Sequence, residues 1–335
     1  MKRLFAFVFS VVLLFTTAIA VGCGGGNDGN LSFYAPDGAP ALAIAKFIND
    51  GEDFGTGKTV DYKVVSSGDI GGVMMQSKGD FIVMPVNAAS KLYKSNAENP
   101  YLMLAVITHG NLYIMSSDGT NTLDGLKGKV VGVIGQGLVP DLTLKAILSD
   151  NGLLSDVVVA NDNTPIDGKI ALRFFEKATD MIPLLKQGKL TVGLLPEPAA
   201  TNLTKVANDK TWTITDVQEL YDSQLKAYPQ AVLMVKKSVY ESYKTNIDQM
   251  ESLFKTNLQW VKSNTGLAVQ AVNSKLKEGV SPSLQVATIT ETVVDNCKIY
   301  FENATSAKQS VIDYINKIIA VNPSSAVAIT EDFFA

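Results

Sequence analysis

The chain has 335 residues, a formal net charge of −4, one histidine and two cysteines. The acidic balance argues against a nucleic-acid partner, because phosphate binding needs clustered Lys and Arg. One histidine, His109, with Cys23 and Cys297 cannot furnish a His/Cys metal constellation.

The N-terminus carries the strongest local signal. Lys2 and Arg3 precede an apolar run from Leu4 to Val21, interrupted by Ser10, Thr16 and Thr17. Ala20-Val21-Gly22-Cys23 and a Gly/Asn-rich stretch follow. Positive flank, apolar centre and small residues predict a cleaved secretory signal over residues 1–22. Small residues before a Cys match the bacterial lipobox, so Cys23 is expected to receive lipid and become the new N-terminus. Residues 23–30 then form a flexible tether, and the body sits outside the cytoplasmic membrane, lipid-anchored. The apolar run is also long enough for an uncleaved anchor helix. With Cys23 lipidated, Cys297 has no disulfide partner and reads as a small buried apolar residue in a helix.

From residue 31 onward the chain exceeds the size at which one core stops growing, so two lobes are expected. Short strands alternate with helices. Leu31 to Ala35 is a strand, and Pro36-Asp37-Gly38-Ala39-Pro40 turns into a helix through Ile48. Thr59 to Val65 is a strand ending at Ser66-Ser67-Gly68. Phe81 to Val86 is a buried strand, after which Asn87 caps a helix through Tyr93. Tyr101 to Thr108 and Leu112 to Met115 are strands separated by His109-Gly110. Lys129 to Ile134 leads through Gly135-Gln136-Gly137 into a helix opened by Pro140. Ile170 to Phe175 is a strand, and Thr179 or Asp180 caps the helix ending at Gly188. Leu190 to Leu195 leads into Pro196-Glu197-Pro198 and another helix. Gln230 to Val235 is the last strand, and from Ser238 the chain reads as nearly all helical.

Such alternation implies mostly parallel sheets flanked by helices. The long helical tail packs most economically on the first lobe. Lobe 1 is then discontinuous, 31–110 plus 229–335, with 111–228 inserted as lobe 2. The two crossings, at Ile107 to Gly110 and Tyr228 to Ala231, are natural hinges.

Ala35-Pro-Asp-Gly-Ala-Pro-Ala41, Met84-Pro-Val-Asn-Ala-Ala89, Leu126 to Gly135, Val139-Pro-Asp-Leu-Thr143, Leu195-Pro-Glu-Pro-Ala199 and Glu331-Asp-Phe-Phe334 occur in that order along nearly the whole body. Together they resemble the type II periplasmic binding proteins of the nitrate, sulfonate and taurine group. The resemblance implies an α/β two-lobed fold with a ligand cleft between the lobes. It also implies a small-molecule ligand, an ABC permease and ATPase as partners, a monomer, no cofactor and no enzymatic activity. Two other roles use this fold: biosynthetic enzymes of the thiamine-pyrimidine or menaquinone type, and sensory lipoproteins without transport. The export signal and the lack of a His/Cys-rich motif argue against the enzymes.

In open parallel sheets, ligands sit beyond the carboxyl ends of strands, beside helix N-termini. The candidates at those places are Tyr34, Gly38, Ala39, Ser66, Ser67, Asn87, Thr108, His109, Gln136, Gly137, Glu197 and Gln230. Gly38 and Gly137 let a backbone approach a ligand. Glu197 is either a ligand or hinge contact or a structural group at a helix N-terminus. His109 either touches ligand or packs in the hinge. Tyr34 offers a stacking face. Arg173, the one arginine of the body, lies within an apolar strand and not at its end. Recognition is therefore expected from backbone N–H groups and neutral side chains, favouring a neutral or weakly anionic, planar solute over a strong oxyanion.

Overall fold

The computed structural model describes residues 29–335. The expected signal peptide, Cys23 and most of the expected tether lie outside them. The first strand, β1 (Leu31–Pro36), is followed by α1 (Ala39–Leu42) and α2 (Ala45–Asp50). The single helix read from sequence is thus two, parted at Ala43 and Ile44, where Ile44 has φ −126° and ψ 13°. Next come β2 (Val60–Val65), α3 (Ile70–Met75), β3 (Phe81–Pro85), α4 (Val86–Leu92) and β4 (Tyr101–Thr108). The middle of the chain supplies β5 (Leu112–Ser116), β6 (Lys129–Ile134), α5 (Val139–Asp150), β7 (Val157–Val159), β8 (Ile170–Phe175) and α6 (Ala178–Lys186). It closes with β9 (Val192–Pro196), α7 (Ala199–Val206), β10 (Thr213–Asp216) and α8 (Val217–Tyr221). The last part holds β11 (Ala231–Lys236), α9 (Lys237–Ile247), α10 (Met250–Ser263), α11 (Thr265–Asn273), α12 (Glu291–Asn296), β12 (Ile299–Asn303) and α13 (Ala304–Val321). The C-terminal segment is therefore not all helical: β12 interrupts it.

The strands form two six-stranded sheets, β12-β4-β11-β3-β1-β2 and β10-β5-β9-β6-β8-β7. In the first, β1 to β4 run one way while β11 and β12 oppose them. In the second, only β5 runs against the rest. Both sheets are thus mainly parallel and flanked by helices. Side-chain alternation divides the first sheet between two cores. Phe33, Ala35, Phe81 and Val83 face α2 and the α10 to α12 region, whereas Ile82 and Met84 share a core with Ile70, Ala89 and Tyr314. That second core continues into the other sheet through Val131, Leu142, Leu172 and Leu194. The joint is α13 against α5, where Thr143 Oγ1 and Tyr314 OH lie 2.8 Å apart and Tyr228 stacks on Tyr314 at 5.6 Å. Each such buried side chain contributes roughly 1.5–3 kcal/mol of transfer free energy.

Two helix caps differ from the sequence expectation. Strand β3 stays paired through Pro85, opposite Ala231, and α4 starts at once, so Pro85 is the cap and Asn87 already lies within the helix. Helix α6 begins at Ala178 with extended Lys177 before it, which puts Asp180 in the first turn. There its charge favours the helix dipole without capping. Cys297 is fully buried at the end of α12, where burial pushes its thiol up. Among the described residues no helix is long and apolar enough to cross a membrane, and no group of three His, Cys, Asp or Glu could hold a metal ion.

Candidate functional site

The registers fix which edges of the two sheets meet. Thr108, the last residue of β4, pairs with Ala231, the first of β11, and with Ile299, the first of β12. Pro85 at the end of β3 also pairs with Ala231. In the second sheet, Leu112 at the start of β5 pairs with Pro196 at the end of β9, and Tyr113 with Asp216 at the end of β10. Both crossings, His109-Gly110-Asn111 and the stretch from Tyr228 to Gln230, therefore join the carboxyl-end edge of one sheet to that of the other.

Asn87, Thr108, Gln230 and Glu197 converge on this junction. Gln230 N–H donates to the Thr108 carbonyl (3.0 Å), and Val86 N–H donates to the Gln230 carbonyl (3.1 Å). The Gln230 Nε2 group donates to Asn111 Oδ1 (2.9 Å), and Asn111 Nδ2 donates to the Glu197 carbonyl (3.0 Å). Asn87 Nδ2 donates to the Ser325 carbonyl (3.1 Å). Ser325 also approaches the other sheet: a Cβ placed on Gly137 would lie 3.8 Å from its hydroxyl. Gln218, which the sequence did not single out, holds the start of β5 by bonding both N–H and C=O of Leu112.

Other expected contacts are committed within the protein. Gly38 N–H donates to Asp37 Oδ1 and Gly137 N–H to Asp141 Oδ2, each at 2.8 Å. Asp37 also accepts from Ser283 N–H at 2.6 Å, and burial raises its pKa. The Glu197 carboxylate accepts from Thr201 N–H (3.0 Å) and Thr201 Oγ1 (2.8 Å), with Asn296 Nδ2 at 3.4 Å. The Thr201 bonds tie it to the first turn of α7. His109 is 3% exposed, its ring stacked on Tyr300 at 3.5 Å and its Nε2 3.0 Å from Glu302 Oε2. Burial lowers its pKa against the upward pull of Glu302. The buried ring is therefore neutral, with Nε2–H donating.

Ala39 is buried beside Gly38, Ser66 is half-buried, and Ser67 and Gln136 are exposed. Tyr34 lines a groove of about 630 Å³ along the outer strand β2, together with Lys63, Gly68, Gly72, Lys275 and Lys277. Lys63 Nζ stands 5.4 Å from the Tyr34 ring centre. Arg173 bonds Asn163 and covers the ring of Phe175, the last residue of β8. Asn111, Gln218 and Ser325 escaped the sequence reading. Asn111 follows Gly110 in the crossing, which is a usable hint, whereas Ser325 has no local signal.

No protein-family model and no curated protein matches the chain. Among solved structures it is similar to an ABC transporter protein from Parabacteroides distasonis, with 19% identity and a TM-score of 0.71 over 92% of this chain and 99% of that one. It is similar to the periplasmic aliphatic sulphonate binding protein of Escherichia coli, with 12% identity and a TM-score of 0.62 over 91% and 96% of the two chains. The ligand binding component of an ABC-type import system from Staphylococcus aureus, solved with zinc bound, gives 10% identity and a TM-score of 0.60 over 92% and 96%. The chain thus has the two-lobed α/β fold of periplasmic binding proteins.

Proposed function

We propose that this chain is an extracytoplasmic solute-binding lipoprotein that captures a small molecule between two lobes and delivers it to an ABC importer. In this reading residues 31–110 and 229–335 form lobe 1, residues 111–228 form lobe 2, Cys23 carries the lipid, and a monomer meets the permease and ATPase. The observation that carries it is the junction of two carboxyl-end sheet edges, where Asn87, Thr108 and Gln230 stand side by side on α4, β4 and the lead-in to β11. The place fits the general rule for open α/β sheets. The enzyme reading has less to work with. Cys297 is buried with a raised pKa, the Glu197 carboxylate is held by Thr201, and His109 is packed under Tyr300. The nitrate, sulfonate and taurine resemblance and the named solved structures both point to binding proteins.

Native mass spectrometry of the gently purified full chain tests the reading. A bound small molecule, released on unfolding, is the expected result; a chain that holds none and binds none from a metabolite extract overturns it. Lipid labelling of the same preparation tests the anchor. Label is expected in the natural chain and absent from Cys23→Ser; equal labelling of both refutes lipidation at Cys23.

A further inference from the structure

Three polar atoms are left over along the strand ends at the junction, besides His109 Nδ1 and Tyr228 OH in the crossings themselves. Asn87 is 6% exposed and Thr108 fully buried. Asn87 Oδ1, Thr108 Oγ1 and Gln230 Oε1 are each buried without a hydrogen-bond partner. A buried polar atom without a partner costs about 1–3 kcal/mol, so three on one edge are unusual. They come from adjacent places, since β11 lies between β3 and β4 and Ala231 pairs with both Pro85 and Thr108. Neighbouring strands are about 4.8 Å apart, so the row spans roughly 10 Å, the length of a small solute.

Two backbone carbonyls fix which end of each amide is free. A carbonyl can only accept. The Ser325 carbonyl therefore takes the NH₂ of Asn87, leaving its oxygen over. The Glu197 carbonyl takes the NH₂ of Asn111. Asn111 then turns its oxygen to Gln230, which must answer with its own NH₂ and keep its oxygen free. Of the nearby donors, the N–H groups of Gly38 and Gly137 are taken by Asp37 and Asp141, while the Tyr228 hydroxyl in the crossing is left over. The row of Asn87, Thr108 and Gln230 offers two amide oxygens that can only accept and one hydroxyl that can do either.

We infer that the solute bound here is an N–H donor, an amine, amide, amidine or amino-heterocycle, and not an acceptor-only oxyanion. The inference rests on the solute-binding reading above and narrows its ligand. An oxyanion would face the oxygens of Asn87 and Gln230 and be repelled; an N–H donor would satisfy both and leave Thr108 to accept or donate.

The test is thermal unfolding of the full chain, freed of bound solute, with two probe sets at matched millimolar concentration. Acetamide, acetamidinium and 2-aminopyridine are the donors; nitrate, methanesulfonate and acetate are the acceptors. A rise in Tm of a few degrees is expected with at least one donor and none with the acceptors. Thr108→Val should weaken the best donor about tenfold, with Thr108→Ser restoring it. The ligand-free Tm of Thr108→Val should not fall, because the lost hydroxyl has no partner. Stabilisation by the acceptors alone overturns the inference and leaves solute binding standing. Stabilisation by neither set overturns both.

Discussion

At the scale of single residues, the first crossing between the sheets depends on one glycine. Gly110 has φ +73°, a left-handed conformation that side-chain-bearing residues adopt at a cost. A Cβ there would come within 2.5 Å of the Tyr228 ring. Tyr228 cannot withdraw, because it is stacked on Tyr314 and packed near Tyr221. Gly110→Ala should therefore destabilise the fold by about 2–3 kcal/mol through strain and overlap together. Urea unfolding of the variant checks this; an unchanged midpoint would mean that the ring and the crossing yield freely. Asp80 offers a second case at the opposite edge of the first sheet. Its carboxylate accepts from the Ser32 N–H and the Ser32 Oγ hydroxyl at 2.8 Å each and from Lys236 Nζ at 2.9 Å. Removing it in Asp80→Ala leaves the largely buried Lys236 ammonium without its counter-ion, for an expected loss of about 3 kcal/mol, read from the same unfolding curves.

At the scale of elements, β12 is held to β4 partly through His109. Its N–H donates to the Lys298 carbonyl, its ring lies under Tyr300, and Nε2 faces Glu302. Because the folded-state pKa is lowered, the unfolded chain binds the proton more readily than the folded one. The contribution of His109 is thus fully present above the unfolded value of about 6.5 and is lost as pH falls toward the folded value. Unfolding free energy should decline on acidification below about pH 6.5, and His109→Gln should flatten that decline. A slope that is the same in both proteins would show that the ring titrates as it does in water.

At the scale of the whole molecule, the two sheets share a core through α13 and α5, and are also tied by Lys205 Nζ to the carbonyls of Ala287 and Thr288 at 3.1 and 3.2 Å. The proposed opening of the lobes would have to release such polar ties while pivoting about the crossings near Gly110 and Gln230. Such ties are replaceable by water at little cost, whereas the α13 to α5 contact is part of the shared core, with the buried Thr143–Tyr314 hydrogen bond inside it, and is expected to stay closed. Small-angle scattering should give a smaller radius of gyration with the copurified solute than without it. Equal radii at saturation would rule out closure as the response to ligand.

The order and type of most elements were legible in the chain itself. Strands such as Lys129–Ile134 and Ile170–Phe175 coincide with their sequence bounds, because apolar runs and flanking glycines act locally. The strands that escaped notice, β7, β10 and β12, are all edge strands. An edge pairs on one side only and is partly exposed, so its residues carry a weak pattern. The candidate edge was legible too, since turns after parallel strands mark it. What no local pattern could give was which polar atoms stay free there. Asn87 meets Ser325 across 238 positions and Gln230 meets Asn111 across 119, and partners that far apart are chosen by packing, not by the preferences of neighbouring residues. The sequence therefore determined which turns meet at the edge proposed for a solute, and the tertiary structure decided which of their polar atoms are left without partners, because those partners come from distant parts of the chain.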